Sequence, residues 1–521
     1  MALATSTTTD RSFTVPLIAV IAVLVAFTAI QVGAYSIAGR FEYPLDDVYI
    51  HLAMADGIAA GGYGVNAGEY ASAASSPLYP YLLAPFSGQQ IQRYIPLLIN
   101  ILALVTATLL WARIVVDALG RTGMGFVLAV FGLIALNLPQ LAFSGMEHTL
   151  HILATLAVVR GIQLLGNKDR VSVLLIAGMI LGPMIRFEAM AISVAAALFL
   201  IFDGRARLGV LLGVLSILPV VGFMYFLTTL GLDPLPNSVN AKLGVGAAPD
   251  MGRFEYFIAK IAAKMRGLAA MGFGLMLFLA LVNLLRSRMM GDRRLVLMLA
   301  VASFAGLGHL AFGQFGWMDR YEIYILVFLA AMLIVAAERG EGAFRNTTVL
   351  AVVAAMAVCS VQYYANIVYS SVFSPRGISL QQNQMARFAH EYVKAPVGVN
   401  DLGLVVWRNP NYVLDLFGLA SKEALETRRS MPSQGWGAPL AAARDVDLVM
   451  IYDRWLHGTV GANWVRLGEL HAAPPTGALG DNKVGFYATS PDAVADLRAK
   501  LEAFVPTLPT GATFFMQEAL Q

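Results

Sequence analysis

Two adjacent carboxylates, Asp46 and Asp47, stand in the stretch YPLDDVYIHLAMADGI (43–58), directly after the first long apolar run of the chain. A carboxylate there can cap a helix or take a proton from a reacting hydroxyl. A cap needs only one, so the pair favours general-base chemistry. Asp46 is the preferred base, because Asp47 is placed to cap the helix expected to follow. Four more segments carry polar residues in apolar surroundings: Glu147 and His148 in SGMEHTL, and Arg186 and Glu188 in GPMIRFEAM. The others are Asn237, Asn240 and Lys242 in DPLPNSVNAKLG, and Trp317, Asp319, Arg320 and Tyr321 in FGWMDRYEIY. An arginine fork suits a phosphate. Each segment also has a plainer reading: helix-end charges for Glu147 and His148, an interfacial Arg186–Glu188 pair, a stiff loop around Asn237, and an aromatic belt at Trp317 and Tyr321.

The elements that must hold these residues are membrane spans. Of 521 residues, 58% are hydrophobic and 13% charged, with mean hydropathy +0.67. Soluble domains carry about a quarter charged residues, so the chain reads as a polytopic helical membrane protein. The net charge of +3 is spread over loops and offers no patch for nucleic acid. A single cysteine, Cys359, excludes a disulfide framework and a thiolate metal site. No Walker loop, HExxH, GxSxG or dinucleotide glycine fingerprint is present. His51, His148 and His151 lack the spacing of a zinc site.

About eleven spans are expected at 12–38, 92–116, 122–143, 149–165, 171–184, 189–202, 208–230, 267–285, 295–312, 321–337 and 347–364, the fifth and sixth being short. Short basic loops (117–121, 166–170, 203–207, 286–294, 338–345) mark the inner side. The outer side then receives the 39–91 loop, 144–148, 185–189, 231–266, 313–320 and everything after about residue 366. Every unusual polar motif falls on that outer side. In the first outer loop a helix should start near Asp47, with Ile50, Met54 and Ile58 on one face as in a helix lying on a membrane surface.

Beyond Ser370 the pattern becomes α/β. VGVND, VLDLFG and DLVMIYD read as buried strands, while LQQNQMARFAHEYVKA and SPDAVADLRAKLEAF read as amphipathic helices. The division is therefore a membrane domain over 1–368, including the 39–91 loop, and a soluble outer domain over 369–521. Asp401 and Asp415 are expected to punctuate strands. Four of the six tryptophans, Trp407, Trp436, Trp455 and Trp464, lie in this tail, as sugar platforms or as membrane anchors.

In order along the chain, DDVYIHLAMADGIAAGGYGVNAGE…SSPLY, SGMEHTL, IRFEA, PLPNSVNAK, FGWMDRYEIYILVFL and VNDLGLVVW…NYVLDLFGLAS cover residues 46–421. Their order resembles the GT-C superfamily of polyprenyl-phosphate-sugar-dependent glycosyltransferases, and within it the bacterial proteins similar to the mycobacterial terminal arabinofuranosyltransferase. The chain departs from that pattern in its Arg186-Phe187-Glu188 run and in GQFGWMDRYE. The resemblance implies a GT-C-like fold with a C-terminal periplasmic α/β domain in a bacterial inner membrane. It also implies a polyprenyl-phosphate sugar donor and a glycan or glycolipid acceptor on the periplasmic face. Asp46 and Asp47 match the catalytic aspartates. Arg186, Lys242 and Arg320 would hold the donor phosphate. His51, Glu69, Glu147, His148, Glu188, Asn237, Asn240, Trp317, Asp319 and Tyr321 would contact donor or acceptor. No cofactor is required, although the aspartate pair offers oxygen ligands to Mg²⁺. The rival readings are a transporter or flippase of lipid-linked saccharides and a non-catalytic envelope scaffold.

Overall fold

The computed structural model describes residues 10–243, 253–430 and 434–518. Among them, eight helices are long and apolar enough to cross a membrane. These are Phe13–Ala38, Gln90–Leu119, Gly123–Phe143, His148–Lys168, Ala206–Thr229, Leu268–Met290, Arg293–Phe312 and the helical run Gly342–Val393. On the first of them, exposed apolar side chains recur every fourth residue: Phe13, Leu17, Ile21 and Val25. A stripe of that kind suits lipid and costs solubility in water. The chain thus has the marks of a multi-pass helical membrane protein.

The other three expected spans form helices of a different kind. Val173–Ile185 and Ala189–Phe202 have 13 and 14 residues, rising about 20 Å each against a hydrocarbon layer of about 30 Å. Ile323–Arg339 is buried from Ile323 to Ala337, as expected of a helix apolar on every face. The expected eleven spans are therefore eight full-length helices, a short hairpin and an interior helix.

The residues divide into two compact units. One comprises 1–30, 97–222 and 248–367; the other comprises 31–96, 223–247 and 368–521. The 39–91 loop, expected with the membrane domain, belongs instead to the unit containing the C-terminal residues.

Within the first unit, the short hairpin packs closely against His148–Lys168. A Cβ on Gly178 would lie 2.6 Å from the Ala154 carbonyl oxygen and 2.8 Å from Val158 Cγ2. Only glycine permits that approach. At one end of this unit the basic loops are tied together. Arg294 reaches Asp203 at 2.9 Å, Arg205 reaches Asp169 at 2.8 Å, Arg339 reaches Asp292 at 2.7 Å, and Arg345 donates to the Ala118 carbonyl at 3.1 Å. All five segments expected on one side do meet there.

The second unit is built on a six-stranded sheet, ordered β2-β1-β3-β5-β4-β6. The strands are β1 (Val397–Val399), β2 (Val413–Asp415), β3 (Leu448–Ile451), β4 (Val465–Ala472), β5 (Lys483–Ala488) and β6 (Ala512–Met516). β1 runs parallel to both β2 and β3, and the remaining pairings are antiparallel. The first three strands are wholly buried, in keeping with the continuous apolar runs that announce them. Trp436 and the partly buried Trp464 pack into the core of this unit, and Trp407 is also buried. Trp455 alone of the four is exposed, and only by 37%. Three of the four are therefore packing residues, not platforms.

Candidate active site

The chain after β1 goes to β2 on one side of it, and the chain after β2 returns to β3 on the other. Beyond the carboxyl ends of parallel strands, such a reversal opens a crevice where α/β proteins bind ligands. Here β1 ends into Asn400 and Asp401, and β3 ends into Tyr452. Tyr452 N–H donates to Asn400 Oδ1 at 2.7 Å, and its hydroxyl lies 2.7 Å from Asp401 Oδ2. Gln382 Nε2 donates to the same Asp401 oxygen at 2.6 Å.

The Asp46–Asp47 pair comes to this place. The helix Asp47–Ala59 starts where the sequence placed it, with Asp46 at its N-cap, yet no cap position side chain bonds that helix. Asp46 turns its carboxylate elsewhere. Oδ1 accepts from Leu404 N–H at 2.9 Å, so the side chain holds the first turn of the short helix Gly403–Val406. A Cβ on Gly403 would sit 2.7 Å from Asp46 Oδ2, which makes glycine necessary for this closure. Burial, then repulsion from Asp401, raises the Asp46 carboxyl well above the usual carboxylate range, against the pull of the Leu404 and Gly403 N–H groups. Burial likewise raises Asp401, with the Asp47 charge adding to the effect. Asp47 is partly exposed. Asp46 is thus committed to a backbone turn, and Asp47 is the more exposed member of the pair.

The helix Asp47–Ala59 also differs from the surface helix expected. Val48 through Ala55 are buried on every face, because Val48, Leu52, Ala53 and Ala55, off the Ile50–Met54 stripe, are apolar too. His51 is buried, its Nε2 3.5 Å from Ser75 Oγ and its ring edge-on to Tyr79. Tyr49 donates to Glu42, and Arg93 pairs with Glu42 at 2.7 Å. Two cavities lie in the same unit. One, of about 520 Å³, includes Asp56, Tyr63, Asn66, Glu69, Tyr70 and Arg408 in its wall. The other, of about 270 Å³, includes Glu69, Tyr70, Asn237, Lys422 and Arg444. Glu69 and Tyr70 border both. Asn237 donates its N–H to Ser72 Oγ at 3.1 Å, while its buried Nδ2 has no hydrogen-bond partner among the described residues. Asn240 is spent on its own loop, donating to the Leu235 carbonyl at 3.1 Å. The Lys242 side chain lies outside the described residues.

The first unit gathers a second set. Arg186 pairs with Glu147 at 2.6 Å and with Glu188 at 2.6 Å, its Nε adding a 3.2 Å bond to the other Glu188 oxygen. The Tyr321 ring lies 5.8 Å from the same guanidinium, and the His148 ring lies 5.8 Å from Tyr321. Three segments expected on the outer side are thereby joined. Arg186 holds two carboxylates where a donor phosphate was expected. Three of its five N–H groups are taken by these carboxylates, which tie the short hairpin to Glu147. Arg320 is buried, donates to the Tyr321 hydroxyl at 3.0 Å and stands 5.0 Å over that ring. Just before it, Gly316, Trp317, Met318 and Asp319 are all left-handed, with φ of 84°, 46°, 60° and 51°. Gln362 holds Asp319 Oδ1 at 2.6 Å. Trp317 is half exposed.

Among the described residues, no three His, Cys, Asp or Glu side chains are arranged to hold a metal ion. Asp415 is structural: its two oxygens accept from Phe417, Gly418 and Ala420 N–H. Asp401, which the sequence placed with Asp415 as punctuation, instead belongs to the aspartate site. Its sole sequence signal was its position directly after an apolar run.

A family model described as a domain of unknown function (DUF8728) matches residues 374–487. That segment starts at Ser374, ahead of β1, reaches into β5 and includes Asp401, Asp415 and Tyr452. No match to the chain is found among curated proteins.

Proposed function

We propose that the protein is a membrane glycosyltransferase of GT-C type. It would move a pentose or hexose from a polyprenyl-phosphate donor to a cell-envelope glycan or glycolipid on the periplasmic face of a bacterial inner membrane. The observation that carries this reading is the partly exposed Asp47 beside Asp46, whose carboxylate is fixed by Leu404 N–H at 2.9 Å. A base held on a rigid turn can meet an incoming hydroxyl in one geometry.

In this reaction the acceptor hydroxyl oxygen bonds to the anomeric carbon as the bond from that carbon to the phosphate oxygen breaks. The bonding electrons leave with polyprenyl phosphate, and the hydroxyl proton passes to the Asp47 carboxylate. Asp46 keeps its helix turn in place. The cavities bordered by Glu69 and Tyr70 offer hydroxyl-binding and ring-stacking groups to a sugar acceptor.

Asparagine keeps the shape of aspartate and removes its basicity. Asp47→Asn should fold, retain the lipid donor in native mass spectrometry, and lose about 10²–10⁴-fold in transfer of labelled sugar. Undiminished transfer by that variant would remove Asp47 from the chemistry. Vesicle uptake of the lipid-linked sugar without transfer would favour the flippase.

A further inference from the structure

The hydroxyl of Tyr452 carries one proton and lies within hydrogen-bond distance of two oxygens: Gln381 Oε1 at 2.6 Å and Asp401 Oδ2 at 2.7 Å. Gln381 cannot supply the missing proton. Its amide nitrogen donates to the Asp481 carbonyl at 2.9 Å, which fixes Oε1 as the atom facing Tyr452. The remaining neighbour, Gln382 Nε2, lies 2.8 Å from the Tyr452 oxygen and 2.6 Å from Asp401 Oδ2. It also lies 3.2 Å from Gln381 Oε1, so three oxygens share its two protons, and a proton bonded to Nε2 cannot sit between the Tyr452 and Gln381 oxygens, 2.6 Å apart. If Asp401 were ionised, Tyr452 would donate to one oxygen and face the other at about 2.6–2.7 Å with no proton between them. A proton on Asp401 satisfies every contact: Asp401 donates to Tyr452, and Tyr452 donates to Gln381.

We propose that Asp401 is a positioning residue of the aspartate site, acting in its neutral, proton-carrying form. It holds the segment Asn400–Leu404 against Tyr452, so that Leu404 N–H is presented to Asp46. This inference rests on the glycosyltransferase reading for its catalytic consequence, but not for the protonation itself. The anchoring is double: Tyr452 binds the segment through its N–H to Asn400 Oδ1 at 2.7 Å and through its hydroxyl to Asp401. The charges facing Asp401 agree with the assignment. Asp47 raises it, Asp46 and Asp401 repel one another, and both Asp401 and Asp481 raise the Tyr452 hydroxyl, which favours its neutral form. Were Asp401 ionised, three neighbouring carboxylates would compete for charge. Neutral, it removes one of those charges.

The test compares Asp401→Asn with Asp401→Ala in the purified full chain. Asparagine supplies an N–H where the carboxylic acid supplied an O–H, and alanine supplies nothing. Infrared difference spectra on exchange into D₂O should show a protonated-carboxyl band in the wild type that is missing from Asp401→Asn. Transfer should fall by up to about 10²-fold in Asp401→Ala through misplacement of the aspartate pair, and asparagine should restore most of that loss with an unchanged pH profile. Loss of transfer in Asp401→Asn as deep as that in Asp47→Asn would make Asp401 an ionised group and overturn the proposal. So would absence of the infrared band from the wild type. Presence of the band in a protein with no transfer activity would retain the proton and defeat only the glycosyltransferase reading.

Discussion

At Arg186, Nε and Nη2 bond one carboxylate and Nη1 another, on a guanidinium that is almost wholly buried. Removing it leaves Glu147, fully buried, without its cation. Arg186→Ala should therefore cost about 3–5 kcal/mol of stability, read as a large fall in Tm in detergent. Arg186→Lys keeps the charge but lacks the planar fork and should recover only part of that loss. Turnover per folded molecule that collapses while Tm stays put would return Arg186 to the donor phosphate. The residues of this cluster were legible as anomalies, since charges in apolar surroundings stand out. Their pairing was not. Glu147 and Arg186 are 39 positions apart, and nothing local distinguishes a carboxylate partner from an anionic substrate. The same limit hid Asp401, whose two neighbours in sequence resemble the end of any buried strand.

Among elements, the short hairpin depends on glycine. Replacing Gly178 by valine would drive Cβ against the Ala154 carbonyl and Val158, parting Val173–Ile185 from His148–Lys168. Overpacking of this kind costs about 1–3 kcal/mol. A second readout is the Arg186–Glu147 pair, which joins the same two helices and should exchange amide protons faster at 186–189. A Gly178→Val variant with wild-type Tm and exchange would show that the helices have slack. Element boundaries followed local rules closely. The start of Asp47–Ala59 and the strands β1, β2 and β3 were all visible as apolar runs between turn residues. β4, β5 and β6 were missed, because β4 and β6 mix buried and exposed positions and their pairing is set by distant partners. The Ile50–Met54–Ile58 stripe misled for the opposite reason: periodicity was real, but so was apolar character on the other faces.

For the whole molecule, the sidedness of the basic loops gives a labelling test. In a chain with Cys359 replaced, a cysteine at exposed Arg288 should be reached only from the cytoplasm, and one at Glu69 only from outside. Labelling of position 288 from outside would invert the topology. Stability should also depend on pH in a definite direction. Asp46 and Asp401 have folded-state pKa values above their unfolded ones, so the folded state binds more protons. Their contribution is complete below the ordinary aspartate pKa and is lost as pH rises through the raised values. Tm should decline on that rise, and Asp401→Asn should flatten part of the decline. A Tm that climbs over the same range, equally in both proteins, would contradict the raised carboxyls.

The bond from Leu404 N–H to Asp46 spans 358 positions of sequence. At a synthesis rate of about 5–20 residues per second, a ribosome needs roughly 20–70 s to make the second partner after the first. Throughout that interval the spans between them can enter the bilayer, while the aspartate pair waits without its helix turn. A nascent or truncated chain would therefore be inserted yet inert. On the proposed glycosyltransferase reading, the timing of synthesis itself would act as a safeguard: no donor lipid would be consumed until the chain has been made past Leu404.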